Sequence, residues 1–197
     1  MTIGASHRSL VTMVSIATAM VVTSLLGSIH AMMPTQSRLS HSLGQTPFAT
    51  QGNQIVDVRG TAQRLSCVNW PAHMETLLPE GLQHQSLDTI INVGIIGAGF
   101  NCVRLTYSID LAVSALQPSL TARQSLQSLG LLDAIAGFAK SNPTLIDLPV
   151  IKVFDALVLA LHAQRIGILL DNHVSKAMWC CNQNDGNVCL LLVMLRL

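Results

Sequence analysis

Two short apolar runs that stop at polar residues constrain the fold of this chain more than any other feature. Residues 100–108 carry Arg104 inside a mostly apolar run, and residues 166–170 are followed at once by Asp171, Asn172 and His173. A strand buried on both faces of a parallel sheet reads as a continuous aliphatic run, so each run predicts such a strand. Barrel and open-sheet α/β enzymes keep their chemistry at the carboxyl ends of parallel strands, which makes these polar residues candidate functional groups.

Helical patterns precede both predicted strands. Ser86 is a candidate N-cap for a helix that stops near Gly97 and Gly99. Asp147 is a candidate cap for a second helix, with Pro149 in its first turn and apolar spacing that continues towards residue 166. The order of strand, helix, strand, helix and strand is that of consecutive βαβ units, so the predicted fold class is α/β with a parallel sheet.

The remaining segments complete this outline. Residues 54–65 read as two short strands about a turn that contains Gly60, which predicts a β-hairpin. Residues 67–70 are the predicted first strand of the parallel sheet. Residues 109–140 are longer than a simple connection requires and predict a loop with one or two helices.

The first 50 residues predict targeting and linker segments. After Arg8, no Asp, Glu, Lys or Arg occurs until Arg38, and residues 10–27 are apolar with interspersed Ser and Thr. This pattern, with a small residue at Ala31, predicts a secretory signal peptide over residues 1–31 and a secreted protein. The apolar stretch exceeds the roughly 7–15 residues of a usual signal core, so an uncleaved membrane anchor is the alternative. Residues 32–50 predict an irregular leader.

Length and charge narrow the possible functions. Charged residues make up 11% of the chain and the net charge is +1, so the clustered basic face of a nucleic-acid-binding protein is not expected. The 197 residues suffice for one ordinary domain. A complete (β/α)₈ barrel usually takes roughly 250 residues.

Cysteine pairing stays open at the level of sequence. The chain has five cysteines, Cys67, Cys102, Cys180, Cys181 and Cys189, and an odd number leaves at least one thiol unpaired. Cys67 and Cys102 fall near predicted neighbouring strands, and secretion would permit a disulfide. The preferred interpretation is that both are reduced thiols packed as small apolar side chains.

Two motifs that would bring in a cofactor or a metal fail on their spacing. Residues 93–102 resemble a dinucleotide-binding turn, but Cys102 occupies the third glycine position and a strand follows where a helix is needed. Adjacent Cys180 and Cys181 lack the usual zinc-site spacing, and His73-Met-Glu75 is not an H-E-x-x-H motif. No cofactor and no metal site are predicted.

Taken in order, the motifs resemble glycoside hydrolase family 5, the cellulase-like family, and in particular its secreted fungal and oomycete members. The resemblance rests on Cys67-Val-Asn-Trp70-Pro-Ala-His-Met-Glu75 with its continuation to Leu82, on the strand around Arg104, and on Ile166-Gly-Ile-Leu-Leu-Asp171-Asn-His173-Val-Ser-Lys176. It implies that residues 51–187 are the N-terminal part of a (β/α)₈ barrel, with a preceding β-hairpin and about three of the eight strands. Such an incomplete barrel is expected to leave a strand edge unpaired.

The resemblance also implies roles for individual residues. An arginine that matches Arg104 orients the catalytic nucleophile, and a histidine that matches His173 binds sugar hydroxyls, with Asn172 on the same surface. Trp70 and Tyr107, expected just past two strand ends, are candidates for stacking on pyranose rings. The alternatives are a structural ion pair for Arg104 and core packing for the two aromatic residues. The implied partner is a β-linked polysaccharide.

The catalytic carboxylates of the family have no match in this chain. Retaining hydrolysis there uses two Glu residues, one as acid/base and one as nucleophile, and needs no metal or cofactor. Glu75 and Glu80 are the only glutamates, and neither fits either catalytic position. Residues 188–197 form an apolar tail unlike the family. The predicted function is therefore that of a truncated, inactive fragment of a secreted glycoside hydrolase. The alternative is a non-catalytic carbohydrate-binding pseudoenzyme, secreted or anchored in a membrane.

Overall fold

The computed structural model of the protein describes residues 43–115, 120–179 and 192–195, the last segment by its backbone only. All of them belong to the unit Ser40–Leu197. The predicted signal segment, most of the predicted leader, and Cys180, Cys181 and Cys189 lie outside the described residues.

A small antiparallel sheet precedes the main one. It consists of β1 (Ala49–Gln51), β2 (Gln54–Val56) and β3 (Ala62–Gln63), in the order β1-β2-β3. The turn between β2 and β3 contains Gly60 at φ +76°, a left-handed conformation that favours glycine. The predicted hairpin is confirmed, whereas β1 starts within the predicted leader. All three β1 residues are exposed, so no apolar alternation marked this strand.

The main sheet carries the predicted parallel strands. Its order is β4-β5-β6-β7, formed by β4 (Cys67–Pro71), β5 (Cys102–Ser108), β6 (Gly167–Val174) and β7 (Leu192–Leu195). Strands β4, β5 and β6 run parallel, and β7 pairs antiparallel with β6. The edge of β6 that faces away from β5 is therefore paired with β7, and β4 lies at the other end of the described sheet. Within the described residues the sheet does not close into a barrel.

The connection from β4 to β5 contains the first predicted helix. Helix α1 (Leu87–Thr89) continues as a π-helical turn over Ile90–Ile96, and the Ser86 side chain caps it by accepting from the Thr89 backbone N–H at 3.1 Å. Gly97 ends the helix, and Gly99 at φ +86° turns the chain into β5. Helix, turn and strand follow in that order, the reverse of the strand, turn and helix of a dinucleotide-binding motif.

The described residues from 109 to 141 form three helices, rather than one or two. They are α2 (Ile109–Ser114), α3 (Ala122–Ser128) and α4 (Leu132–Ser141). Ser108 caps α2, and Thr121 forms a capping box with Gln124 at the start of α3. Short helices of this kind depend on caps and packing, and their apolar periodicity is too brief to separate them in sequence.

Helix α5 (Val150–Ala163) is the predicted second crossover helix, but its cap differs from the prediction. The N-cap is Pro149, without a side-chain cap. Asp147 instead accepts two hydrogen bonds from Arg123, at 2.6 Å to Nε and 3.0 Å to Nη2. The carboxylate thus ties the segment before α5 to α3. None of the helices in residues 43–115 and 120–179 is long and apolar enough to span a bilayer.

The two faces of the parallel sheet have opposite character. Successive strand residues point to opposite faces, so odd and even positions separate. One face packs with the helices in the apolar core, to which the strands contribute Val68, Trp70, Val103, Leu105, Tyr107, Ile168 and Leu170. The other face carries Asn69, Arg104, Thr106, Asp171 and His173.

A disulfide joins the starts of β4 and β5. Cys67 and Cys102 are direct register partners with Cα atoms 4.5 Å apart, and their sulfur atoms are bonded. The preferred interpretation of two reduced thiols is therefore wrong. Sequence places the cysteines on neighbouring strands, but only the register brings them opposite each other.

Candidate active site

Arg104 is held at the centre of the polar face by hydrogen-bond acceptors on both neighbouring strands. Its Nη2 donates to Asp171 Oδ2 at 2.5 Å, and its Nη1 donates to Asn69 Oδ1 at 3.2 Å. Register pairs Asn69 with Arg104 and Asp171 with Thr106, so the strands themselves bring the three side chains together. The Asp171 side chain is 6% exposed and that of Arg104 is 39% exposed. The arginine is thus fixed at its inner side and accessible at its outer side.

Asp171 also orients His173. The His173 Nδ1 lies 3.0 Å from Asp171 Oδ2 and 3.3 Å from Arg104 Nη2. Guanidinium only donates and an ionised carboxylate only accepts, so Nδ1 carries the hydrogen and donates to Asp171. The 3.3 Å distance between His173 Nδ1 and Arg104 Nη2 is then a contact between two donors that share Asp171 Oδ2 as their acceptor. This arrangement makes Nε2 the acceptor nitrogen of the neutral imidazole.

A β-bulge accompanies His173. The register between β5 and β6 shifts between Tyr107 and Ser108, so that Tyr107 pairs with Asn172 and Ser108 with Val174. His173 is the extra residue on β6. Bulges next to functional sites redirect a side chain, and here the imidazole meets both Asp171 and a second histidine.

The second histidine, His73, follows the end of β4 and is buried. Its Nδ1 lies 2.8 Å from Thr106 Oγ1, and its ring centroid is 4.5 Å from that of His173. Burial lowers the pKa of His73 below its ordinary value, and His173 and Arg104 lower it further, while Asp171 and Glu75 oppose them. His73 is therefore held neutral beside the His173 ring.

We call Asn69, His73, Arg104, Thr106, Asp171 and His173 the strand-end cluster. It joins a fixed guanidinium, two imidazoles and an amide on one face of the sheet, where β4, β5 and β6 approach their carboxyl ends. Such groups donate and accept hydrogen bonds at neutral pH, which suits the hydroxyl groups of a carbohydrate. Within the described residues no group of three or more His, Cys, Asp or Glu could hold a metal ion.

The structure places the other predicted site residues on the helix-packed face. Trp70 is 6% exposed and its indole Nε1 donates to the Glu80 carbonyl at 2.9 Å. Tyr107 packs edge-on against Phe154 with ring centroids 6.2 Å apart. Asn172 is half-buried, and its Oδ1 has no hydrogen-bond partner among the residues that the structure describes. Trp70 and Tyr107 lie inside β4 and β5 rather than past their ends, so alternation turns both away from Arg104.

The two glutamates lie in the loop after β4, and the charge of Glu75 reaches His73 of the cluster. Glu75 and Glu80 line a cavity of about 690 Å³ between the loop after β4 and helices α3 and α4. Trp70, Leu126 and Phe138 contribute to its apolar wall. The side chain of Trp70 belongs to the helix-packed face, and this cavity is therefore on the opposite side of the sheet from Arg104.

Sequence reasoning missed two residues of this site and an exposed tryptophan in the loop after β6. His73 drew notice only as a zinc candidate, and Thr106 drew none, because their contact depends on how the loop after β4 folds back. Trp179, in the loop after β6, is 74% exposed. Trp179 could have been noted from the sequence, because it follows Val174 by five residues and the predicted strand ends there.

Comparison with known proteins shows which family the chain resembles. No family model matches the chain. It is 42% identical over 149 residues to a "Glycosyl hydrolase 5 family protein" of Chamaecyparis obtusa, which covers 75% of this chain and 26% of that protein. It is 30% identical over 128 residues to an "Endoglucanase" of Paenibacillus polymyxa, which covers 64% of this chain and 28% of that protein. Over this segment the chain is similar to proteins of glycoside hydrolase family 5.

The chain spans about a quarter of the length of these family 5 relatives. Solved structures agree on the fold. The catalytic domain of the major endoglucanase from Xanthomonas campestris superposes with a TM-score of 0.53 at 21% identity, covering 68% of this chain and 34% of that chain. An endocellulase from Pyrococcus horikoshii, solved with cellotetraose, gives 0.50 at 21% identity over the same shares. The described sheet and helices thus have the architecture of part of a barrel-type cellulase domain.

Proposed function

We propose that the strand-end cluster is one wall of a β-glucan-binding site, in a chain derived from a secreted glycoside hydrolase that cleaves O-glycosidic bonds in β-linked polysaccharide. The observation that carries the proposal is the contact of Arg104 and His173 with one buried carboxylate, Asp171, at 2.5 and 3.0 Å. This contact fixes both side chains before any ligand arrives, which lowers the ordering cost of binding.

The chemistry of the wall suits sugar hydroxyls. Arg104 offers donors in a planar fork, and His173 offers an acceptor nitrogen whose tautomer Asp171 sets. Burial keeps the pKa of His73 low, which limits the positive charge next to an uncharged substrate. The endoglucanase name of one relative and the cellotetraose bound by one structural neighbour favour a β-linked glucan.

We further propose that the 197-residue chain binds this glycan without hydrolysing it. Retaining hydrolysis requires two carboxyl groups about 5–5.5 Å apart that flank the scissile bond. The glutamates, Glu75 and Glu80, line the cavity on the helix-packed side. The Asp171 carboxylate already forms ion-pair and hydrogen-bond contacts with Arg104 and His173 through Oδ2. None of these three carboxyl groups is placed to serve as acid/base or nucleophile on a glycan at the strand-end cluster.

The test is binding and turnover by the purified chain. We expect cellotetraose to bind and His173→Ala to weaken that binding about tenfold, which equals about 1.4 kcal/mol. The matched control is His162→Ala, which removes an exposed histidine at the end of α5 and leaves binding unchanged. Isothermal titration calorimetry measures both. A wild-type chain that binds no β-glucan oligosaccharide would contradict the binding proposal.

A reducing-end assay on soluble β-glucan and mannan tests the second part. We expect no sugar release above the blank with the pure chain. Release that persists in the wild type and disappears in a Glu75→Gln or Glu80→Gln variant would overturn the proposal of binding without hydrolysis.

Secretion is part of the proposal. The disulfide between Cys67 and Cys102 supports it, because such bonds form and persist in oxidising compartments. Expression with residues 1–31 in place should deliver disulfide-bonded protein to the medium. Retention of the whole product in carbonate-washed membranes would favour the anchor instead.

A further inference from the structure

We infer that the cavity between the loop after β4 and helices α3 and α4 is a second binding site, and that it takes an organic cation with an apolar body and an ammonium group. The cavity lies on the helix-packed side of the sheet, whereas Arg104 and His173 project from the other side. The inference therefore does not rest on the proposed function, and the two can fail separately.

The cavity has the size and the apolar wall of a small-molecule site. Its volume is about 690 Å³, and ligand pockets in proteins commonly measure roughly 300–1,000 Å³. Leu78, Leu82 and Phe138 line it and are buried, so part of its wall is the hydrophobic core itself. Leu131, which is 41% exposed, adds apolar surface nearer to the solvent. An apolar ligand body therefore leaves water when it enters this cavity, which favours binding.

Hydrogen bonds hold the loop after β4 against the two helices that complete the cavity. Ser125 Oγ, on α3, donates to the Thr76 carbonyl at 2.5 Å. Asn142 Nδ2, at the C-cap of α4, donates to the Leu82 carbonyl at 2.7 Å. Both acceptor residues line the cavity. The wall is thus assembled before a ligand arrives, which lowers the ordering cost of binding.

The charges that line the cavity select a cation among the apolar molecules that fit. Glu75 and Glu80 line it, and its described lining residues include His84 but no Lys or Arg. Both glutamates are exposed, and the ion pairs of the described residues involve neither of them. Opposite charges attract more strongly beside apolar surface than in bulk water. An ammonium group on the ligand is therefore attracted to this cavity, and a carboxylate group is repelled.

Three ligands that share one apolar body test the inference. Phenylbutylamine, phenylbutanol and phenylbutyrate carry an ammonium, a hydroxyl and a carboxylate group on the same phenylbutyl chain. The full-length protein with Trp179→Phe retains a single tryptophan, Trp70, which lines the cavity and reports binding by its fluorescence. We expect the amine to change this emission and to bind about tenfold more tightly than the butyrate, with the alcohol between them. Calorimetry on the wild type measures the same affinities. No binding of the amine, or equal affinities for the amine and the butyrate, would overturn the inference.

Two sets of variants locate the site. The double variant Glu75→Gln and Glu80→Gln should weaken phenylbutylamine binding about tenfold, equal to about 1.4 kcal/mol, and leave phenylbutanol binding unchanged. Its control is Asp133→Asn, which removes an exposed carboxylate of α4 that does not line the cavity. Leu131→Ala should weaken both ligands, whereas Leu132→Ala, at a neighbour outside the lining, should weaken neither. Amine binding that is unchanged in the double glutamine variant would contradict the inference.

Saturating cellotetraose separates this inference from the proposed function. We expect phenylbutylamine to bind equally well with and without the sugar, because the two sites lie on opposite sides of the sheet. Loss of amine binding in the presence of the sugar would place both ligands in one site and overturn the inference. If the wild type binds the amine but no oligosaccharide, the proposed function falls and this inference stands.

Discussion

At the scale of single residues, Asp171 decides how the strand-end cluster is arranged. One carboxylate oxygen receives both Arg104 and His173, and the side chain is almost fully buried. A buried carboxylate is tolerated only where charged or hydrogen-bonding partners compensate its lost hydration. Arg104 and His173 therefore owe their positions to a residue that is itself almost fully buried.

His73 predicts how the fold responds to acid. Burial, the largest cause, together with His173 and Arg104 holds the pKa of His73 below its ordinary value of 6.5. The unfolded chain therefore binds a proton at His73 at a higher pH than the folded chain does. The contribution of neutral His73 to the free energy of unfolding is fully present above pH 6.5. It is lost as the pH falls through the lowered pKa of the folded state.

We expect His73→Asn to lose less stability than the wild type between neutral and mildly acidic pH. Asparagine can keep the hydrogen bond to Thr106 and has no proton to gain. Urea unfolding at a series of pH values measures this, with His162→Asn as the control at an exposed histidine. Parallel pH profiles for the wild type and His73→Asn would contradict the assignment.

Part of the candidate site could be predicted from residues alone. Arg104 and His173 stand out because a charge or an imidazole interrupts an apolar run, and both indeed lie on the polar face. Trp70 and Tyr107 were misplaced because a shift of one residue along a strand reverses the face on which a side chain lies. The disulfide and the His73 contact depend on register and on a loop, which local sequence does not encode.

At the scale of elements, α4 packs so closely against the loop after β4 that Gly137 has a specific role. A Cβ atom at Gly137 would lie 2.4 Å from the carbonyl oxygen of Gln83. Alanine normally favours a helix over glycine, but this contact forces backbone to move. Gly137→Ala should therefore cost about 1–3 kcal/mol of the free energy of unfolding.

Gly94 offers the matched control for this prediction. It lies in the π-helical turn over Ile90–Ile96, and a Cβ there would meet nothing within 4 Å. Gly94→Ala should be neutral or stabilise the fold by up to about 1 kcal/mol. Both free energies come from urea unfolding. Equal effects of the two substitutions would show that packing against Gln83 does not matter.

The disulfide is the second prediction at this scale. It links β4 and β5 across a sequence separation of 35 residues, so it restricts the unfolded chain. Replacing both Cys67 and Cys102 by Ser should lower the free energy of unfolding by about 3–4 kcal/mol. A mild reductant should lower the melting temperature of the wild type and leave that of the double variant unchanged. If the reductant lowers the melting temperature of both proteins equally, the effect comes from cysteines other than Cys67 and Cys102.

At the scale of the whole molecule, the fold class was predictable because it follows from repeated patterns. Apolar runs of strand length alternate with helical periodicity, and the predicted order of β4, α1, β5, α5 and β6 is the one observed. The number of helices between residues 109 and 141 was not predictable, because each is only two or three turns long. The antiparallel β7 was missed as well, since its pairing depends on which edge of the sheet is open.

The last prediction concerns the edge of β6 that β7 covers. The β7 backbone pairs Met194 with Leu169 and Val193 with Leu170 on β6. Exposed edges of parallel strands are templates for pairing with another chain, so β7 should keep β6 from self-association. A Val193→Pro and Met194→Pro double variant removes two backbone donors and should expose that edge. We expect its light-scattering mass to rise with concentration more steeply than that of the Val193→Ala and Met194→Ala double variant, which keeps both donors. If both variants scatter alike and the amides of Leu169 and Leu170 exchange at the same rate in both, β7 does not protect this edge.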